Sequence, residues 1–384
     1  MSRQLHFIFS TTISSRGHSL GTFFEGLAVA LVEAGHRVIL LTDGGHADME
    51  RPQANPAVLS WPSKRPTKMR DVRFLTALAR DFRPDLIVGN FGSVNVCLLV
   101  GRYLSVPHRV VWHHTPSRQA GLDFDDGSLT YRALTHRKKL VYRLATSFIT
   151  GSAYVKNDLI AGFGLKPDSI TVLPYLLADQ PPHLQCLQRS PLRVSFPGRF
   201  HPSKGQDVMI RALPRVIEEF PDVVVEFTGE GPLRSKMQAL AADLGVERHC
   251  KFLGFLGSLD EVKALMGSSF VNVAMSRDEG FGLVVTEAFS MGTPVIGTAI
   301  PPFRDTIVEG EVGYLIDVDD DRALTDRLLR LLRDPALAHA MGRNAKRRFD
   351  ERFSLTNNVQ RYADYFIALA SSPTSPKQPL PVLR

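Results

Sequence analysis

Ser276–Pro294, SRDEGFGLVVTEAFSMGTP, is the stretch that decides how this chain folds. It follows the apolar run Phe270–Ala274, which reads as a strand. Glu279 comes next, then Gly280-Phe281-Gly282, then a helical pattern from about Leu283 to Met291. Glycines without a Cβ let backbone N–H groups turn toward a ligand. The first turn of a helix adds unpaired N–H donors and the positive end of the dipole, and both favour phosphate. Glu279 sits in the loop, and Glu287 follows about one turn into the helix. Ionised carboxylates accept hydrogen bonds from hydroxyls. They repel phosphate, so each must face a hydroxyl-bearing part of the ligand. Hydroxyls, phosphate and hydroxyls, in that order, describe a nucleotide sugar.

A second segment points to the same ligand. After the strand pattern Leu192–Phe196 come Pro197-Gly198-Arg199 and His201-Pro-Ser-Lys204-Gly205, then a helix from about Gln206. Arg199 and Lys204 therefore lie at a strand's carboxyl end and a helix start. Two cations so placed can converge on a diphosphate through charge-assisted hydrogen bonds.

The rest of the chain repeats strand and helix. In the first half, Leu5–Phe9, Arg37–Thr42, Asp85–Val88, Arg109–Trp112 and Ser147–Thr150 read as strands. Helical patterns lie near 22–34, 70–82, 94–104 and 128–145. Thr22-Phe-Phe-Glu25 reads as a capping box, and Gly35 suits the left-handed position after the first helix. In the second half Leu192–Phe196, Val223–Thr228, Cys250–Leu253, Phe270–Ala274, Pro294–Gly297 and Gly313–Ile316 read as strands. Such alternation implies parallel sheets covered on both faces. A chain of 384 residues exceeds one hydrophobic core. The expected division is one α/β domain over 1–175, a proline-rich linker over 176–191, a second α/β domain over 192–352, a helix over 353–370 and a disordered tail over 371–384. Two such halves would leave a ligand cleft between them.

The Glu-x7-Glu spacing with Gly-Phe-Gly-Leu inside it resembles the signature of retaining GT-B glycosyltransferases, especially family 4. The resemblance covers about 190–350 strongly and 5–175 more loosely. It implies a GT-B fold, two facing Rossmann-like domains, with 1–175 on the acceptor side, 192–352 binding the nucleotide sugar and the helix over 353–370 crossing back to the first domain. It implies that Glu279 and the amides of Gly280, Phe281, Gly282 and Leu283 hold the transferred sugar and diphosphate, and that Glu287 holds the ribose. It casts Arg199 and Lys204 as neutralising the leaving nucleoside diphosphate. Phe227-Thr-Gly229-Glu-Gly231-Pro-Leu233 is similar to the family's strand-to-helix turn. Phe252-Leu-Gly254-Phe255 is similar to the loop beside the nucleotide base. Gly21 matches one of a glycine pair that approaches the donor phosphate, while Leu20 replaces the other. A histidine at His113-His114 is implied to contact the sugar, with His113 the choice of the two. His18 could meet the acceptor or simply be solvated. Asp305 stands where the family often has glutamate, but prolines replace the glycines before it, and it receives no role. The implied reaction retains anomeric configuration and needs no metal and no cofactor beyond the nucleotide-sugar substrate. Two rivals are a related enzyme, such as a sugar-nucleotide epimerase or a phosphorylase, and a non-catalytic nucleotide-sugar-binding subunit.

Composition narrows the partners. The net charge of +7 suits anionic ligands or surfaces. No zinc-finger spacing or RNA-binding aromatic signature appears, so nucleic acid is not expected. Gly229-Glu-Gly231 lacks the third glycine of a dinucleotide fingerprint, since Arg234 stands there. Asp317-Val-Asp319 reads as a helix-start device, not a metal triplet. Cys97, Cys186 and Cys250 give no disulfide framework, and no apolar run reaches the ~20 residues of a membrane span. A cytoplasmic protein is expected. The basic segment Tyr131–Arg143 could rest on the inner face of an anionic membrane through Arg132, Arg137, Lys138, Lys139 and Arg143. The acceptor stays open among a glycan, a lipid-linked glycan and a small molecule.

Overall fold

The computed structural model describes residues 3–11, 19–43, 54–117, 129–185 and 187–373, without the side chains of 129–132. His18, the Arg132 side chain, Cys186 and the tail beyond Pro373 lie outside the described residues. The chain divides into two compact units. Met1–Leu176 with Leu355–Arg384 forms unit 1, and Leu177–Ser354 forms unit 2.

Unit 1 is a parallel sheet of seven strands. They are β1 (His6–Ser10), β2 (Arg37–Thr42), β3 (Ala57–Ser60), β4 (Leu86–Asn90), β5 (His108–His113), β6 (Ser147–Thr150) and β7 (Ile170–Val172), in the order β3-β2-β1-β4-β5-β6-β7. The inner strands are buried on both faces, so they read as continuous apolar runs. The edge strands β3 and β7 have only four and three residues. They carry too little pattern to be read from sequence. Between the strands run α1 (Ser19–Glu33), α2 (Met69–Phe82), α3 (Val94–Tyr103), α4 (Leu129–Tyr142) and α5 (Ala153–Phe163).

The capping-box reading at Thr22 is corrected. α1 already begins at Ser19, so Thr22 is inside it. Ser19 and Gly21 are buried with Phe23, Phe24 and Leu27, and this packing carries the helix one turn further upstream.

Unit 2 is a parallel sheet of six strands. They are β8 (Ser190–Pro197), β9 (Val224–Thr228), β10 (Cys250–Gly254), β11 (Ser269–Ala274), β12 (Val295–Thr298) and β13 (Gly313–Ile316), in the order β10-β9-β8-β11-β12-β13. Its helices are α6 (Gln206–Glu219), α7 (Arg234–Asp243), α8 (Leu259–Ser268), α9 (Leu283–Ser290), α10 (Pro301–Thr306), α11 (Asp321–Arg333) and α12 (Pro335–Arg352). One cluster, including Phe196, Phe200, Met209, Phe227, Val271 and Leu328, fills the core.

The stretch read as a linker is tied to unit 2. Leu177 pairs with Ser354, and the Lys263 ammonium donates to the carbonyl of Ala178 at 2.8 Å. The last helix, α13 (Leu355–Ser371), belongs to unit 1. Its Phe366 ring meets Phe9 edge-on at 5.2 Å between centroids, and the Tyr365 hydroxyl bonds Thr171. α13 runs through Ser371, so the tail reading begins one residue too early. The Asp317–Asp319 reading is also corrected. Asp320 caps α11, accepting from the Ala323 amide at 2.8 Å, while Asp319 turns to a φ of 66° and pairs with Arg277. No helix among the described residues is long and apolar enough to cross a membrane.

Candidate functional site

The residues singled out in the second half gather at the carboxyl edge of the unit 2 sheet. β8 and β11 are neighbours, so the loops leaving them share that edge. The loop after β8 passes Arg199 and turns through a short 3-10 helix, Pro202–Lys204, into α6. Gly205 makes this turn possible. It takes a left-handed φ of 68°, and a Cβ there would clash with the carbonyl oxygen of Met275. That close approach presses the Lys204 turn onto the end of β11.

The loop after β11 carries Glu279, which is 8% exposed. Its carboxylate forms an ion pair with the Lys204 ammonium and accepts from the Ser276 hydroxyl at 2.8 Å. Lys204 and Glu279 are 75 positions apart in sequence, and the fold makes them partners. Gly282 then starts α9 with a φ of 89°, its α-carbon packed against the Phe303 ring. Leu283 is the first residue of α9, and Phe281 is buried beside Phe353.

Glu287 lies on α9, half-buried, within the electrostatic reach of Lys263 on α8. Burial lowers the Lys263 pKa, and the charges of Glu287, Asp260 and Asp179 oppose that shift. Gly229 follows β9, and its backbone N–H donates to the Gly254 carbonyl at 2.8 Å. Phe255, just past β10, is 75% exposed. A flat, solvent-facing ring at a strand end suits stacking against a planar ligand.

Arg199 behaves differently from Lys204. Its side chain is exposed and makes no hydrogen bond or ion pair among the described residues. Only its carbonyl is held, by the Gln206 side-chain amide at 2.8 Å. The structure thus brings Lys204 and Glu279 together and leaves the Arg199 guanidinium apart from them.

Sequence reasoning missed Arg277. Its backbone N–H donates to the Ser203 carbonyl at 2.8 Å, and its guanidinium reaches the Pro202 carbonyl at 2.6 Å, Asp207 at 2.8 Å and Asp319 at 2.7 Å. Burial pushes the Asp207 carboxyl up, but Arg277 and Arg211 outweigh it and hold it below the ordinary range. Arg277 is two residues before Glu279 and clasps both ends of the Lys204 turn. An arginine next to the Glu-x7-Glu spacing was the available signal, but its partners lie 70 or more positions upstream or, for Asp319, 42 downstream.

Unit 1 places the other candidates. Gly21 is the third residue of α1 and buried. His113 ends β5, and its Nδ1 lies 2.9 Å from the Tyr142 hydroxyl. Burial, then the nearby Lys138 and His114, hold its pKa well below the usual range, against the Thr115 backbone. The ring is therefore neutral near pH 7. Its Nε2 is buried without a hydrogen-bond partner among the described residues. His114 has both ring nitrogens engaged, Nε2 with Asn90 at 2.6 Å and Nδ1 with the Tyr175 hydroxyl. Its ring stacks on Phe91 at 4.1 Å. Of the pair, His113 alone keeps a ring nitrogen for a ligand. Burial pushes the Asp305 carboxyl up, with Arg352 opposing, and its backbone carbonyl accepts from Arg348.

On the basic helix α4, Lys138 turns inward over the rings of Phe163 and Tyr142, at 5.2 and 5.5 Å. Arg137, Lys139 and Arg143 are exposed. The five cations therefore do not form one outward stripe.

Known proteins resemble this chain over both units. Residues 188–348 match the glycosyl transferases group 1 family, and residues 20–175 match the glycosyl transferase 4-like domain. A phosphatidyl-myo-inositol mannosyltransferase of Mycobacterium leprae is 35% identical over 191 residues, 49% of this chain and 48% of that protein. A GDP-mannose-dependent alpha-(1-6)-phosphatidylinositol monomannoside mannosyltransferase of Mycolicibacterium smegmatis is 35% identical over 151 residues, 38% of this chain and 39% of that protein. The chain spans about half the length, or less, of these curated relatives. The crystal structure of Anabaena Alr3699/HepE with UDP superposes with a TM-score of 0.73 at 17% identity, over 95% of this chain and 100% of that one. That likeness concerns the fold.

Proposed function

Because this chain belongs to the glycosyl transferases of group 1 and has the GT-B fold, we propose that it transfers a sugar from a nucleoside-diphosphate sugar to an acceptor hydroxyl. The observation that carries the reading is the Lys204–Glu279–Ser276 cluster at the foot of α9. A cation, a carboxylate and a helix N-terminus sit together where a strand ends. The cation and the helix amides suit the diphosphate, and the carboxylate suits sugar hydroxyls.

In this proposal Glu279 accepts from hydroxyls of the transferred sugar while Lys204 turns to the diphosphate. Arg199, free of protein partners, swings in when the nucleotide binds. Glu287 accepts from the ribose, Lys263 keeping a positive charge beside it. Phe255 lies beside the base. As the bond from the anomeric carbon to the diphosphate breaks, negative charge grows on the leaving oxygen. Lys204, Arg199 and the first amides of α9 stabilise that charge. The acceptor oxygen bonds the anomeric carbon on the face the diphosphate leaves, and its proton passes to the departing phosphate. Configuration is retained, no separate base is required, and the leaving charge is met without a metal.

The donor base and sugar are framed by the relatives. The mycobacterial names point to a mannosyl donor and the Anabaena complex to UDP, so GDP-mannose and UDP-glucose are the first donors to try. Peripheral contact with an anionic membrane would rest on Lys139 and Arg143, each adding about 1 kcal/mol near such a surface. The test of the main reading is thermal denaturation with GDP, UDP and ADP, followed by a donor-turnover assay with EDTA present. A nucleotide that binds the native state raises its melting temperature. A chain that no nucleotide stabilises, or one whose Lys204→Ala variant turns over donor at the parent rate, overturns the assignment.

A further inference from the structure

Unit 1 contains a pocket of about 390 Å³ at the carboxyl ends of β4 and β5. That volume falls within the range of small-ligand sites. Phe91, Tyr142 and Phe163 give it aromatic walls, and Arg65, Arg137 and Lys138 line it with positive charge. No acidic side chain is among its lining residues within the described part of the chain. Such one-sided charge in a concave site focuses an attractive field on anions.

Two features show that the pocket is short of a negative partner. The Lys138 ammonium faces two aromatic rings and makes no salt bridge among the described residues. Among the described residues the acidic influence on it is Asp158, whose Oδ2 already accepts from the Ser117 amide and hydroxyl, each at 2.9 Å. The second feature is His113, 6% exposed, which lines the same pocket and whose Nε2 is buried with no hydrogen-bond partner among the described residues. If the Tyr142 hydroxyl donates to Nδ1, Nε2 carries the proton and is a donor. Buried polar atoms are nearly always satisfied, so an unpartnered one calls for a partner such as a water, an ion or a ligand. Phe91 adds a strained backbone, a φ of 47° on a bulky residue, held by its stack on His114.

We propose that this pocket binds a phosphate group carried by the acceptor, with Lys138 as its central cation, Arg137 and Arg65 flanking it, and His113 Nε2 donating to a phosphate oxygen or a neighbouring hydroxyl. The inference rests on the glycosyl-transfer reading and adds the acceptor's chemical class. Burial lowers the Lys138 pKa to about 8, with Asp158 opposing, so its charge is held at a cost that a phosphate would offset. The cations complement the negative charge of a phosphate ester, and the aromatic walls suit the apolar face of a sugar or polyol ring.

The test is binding, read without turnover, on the full chain. Calorimetry uses two probes, glycerol phosphate as a soluble ester and vesicles of phosphatidylcholine with phosphatidylinositol as a lipid-borne one. At least one probe is expected to bind, and the arm that binds identifies the source of the phosphate. Lys138→Met is expected to weaken that binding about tenfold. Thr135→Phe, which fills the pocket without removing charge, is expected to do the same and covers the case of a misfolded Lys138 variant. Binding of GDP or UDP stays unchanged in both, whereas Lys204→Ala shows the reverse pattern. A chain that binds neither probe overturns the proposal, as does probe binding at parent strength in both pocket variants. If the chain binds phosphate but transfers no sugar, the glycosyl-transfer reading fails while the pocket stands.

Discussion

Unit 2 keeps its key lysine paired, and unit 1 keeps its key lysine unpaired. Lys204 rests on the Glu279 carboxylate, with side-chain exposures of 19% and 11%. Lys138 rests on aromatic rings, with a pKa drawn down to about 8 by burial. A paired cation is held in place before the ligand arrives, and little reorganisation is needed to stabilise charge in a transition state. An unpaired, half-desolvated cation gains most by taking a counter-ion from the ligand. The difference assigns chemistry to the first site and recognition to the second.

The hardest blow to that contrast comes from Lys204. Lys204→Ala is expected to lower the turnover rate by about 10²–10³, the usual loss when one preorganised donor is removed. It also leaves Glu279 beside Ser276 alone, so the melting temperature falls. Lys204→Met with Glu279→Gln removes both charges, and the melting temperature recovers while turnover does not. If turnover recovered with stability, Lys204 would be only a structural partner. Gly205→Ala comes next. A side chain at a φ of 68°, facing the Met275 carbonyl, is expected to cost about 1–3 kcal/mol. Urea denaturation measures it, and a loss under 0.5 kcal/mol would mean the turn relaxes easily. Arg277→Ala follows, with kcat down roughly tenfold and the donor KM changed much less, because a misplaced Lys204 loses transition-state contact first. Arg277→Lys restores part of the rate by keeping the contact with Asp207. Equal effects on kcat and KM, or no rescue, would reduce Arg277 to a stabilising residue.

The two sites also differed in how far sequence could reach them. The Glu279–Leu283 loop and Lys204 are each local, a strand end followed by a helix start, and period and glycine placement mark them. Even so, the contact between them depends on β8 and β11 being neighbours, which no local pattern encodes. Arg277 stayed hidden for that reason. In unit 1 the inner strands were legible as apolar runs, while β3 and β7 were too short. The basic helix α4 was legible as charge, but which cations face inward was not. Lys138 turns in because Tyr142 and Phe163 stand beneath it, and Phe163 comes from a different helix. The exposed Arg199 shows the opposite limit. Its motif suggested convergence with Lys204, yet a cation with no protein partner converges only when a ligand supplies the charge.

The smallest expected effect is the dependence of phosphate binding on pH. Lys138 titrates at about 8, so it is mostly charged at pH 7 and mostly neutral at pH 9. The other groups facing the pocket hold their charge across that window. His113 and His114 stay neutral, since burial holds the first well below 6.5 and the second at about 3. Tyr142 stays protonated because burial raises it. Arg65 and Arg137 also line the pocket, and Asp158 is the acidic group acting on Lys138 among the described residues. A phosphate ester is already close to its dianion above pH 7, because its second proton leaves near pH 6. The sign follows from Lys138 alone. Bound phosphate favours the protonated ammonium, so affinity for glycerol phosphate is expected to fall about fivefold between pH 7 and pH 9. Lys138→Arg keeps a charge that does not titrate and is expected to flatten the profile. A profile already flat in the parent chain, or equally steep in Lys138→Arg, would remove Lys138 from the phosphate site and erase the contrast with Lys204.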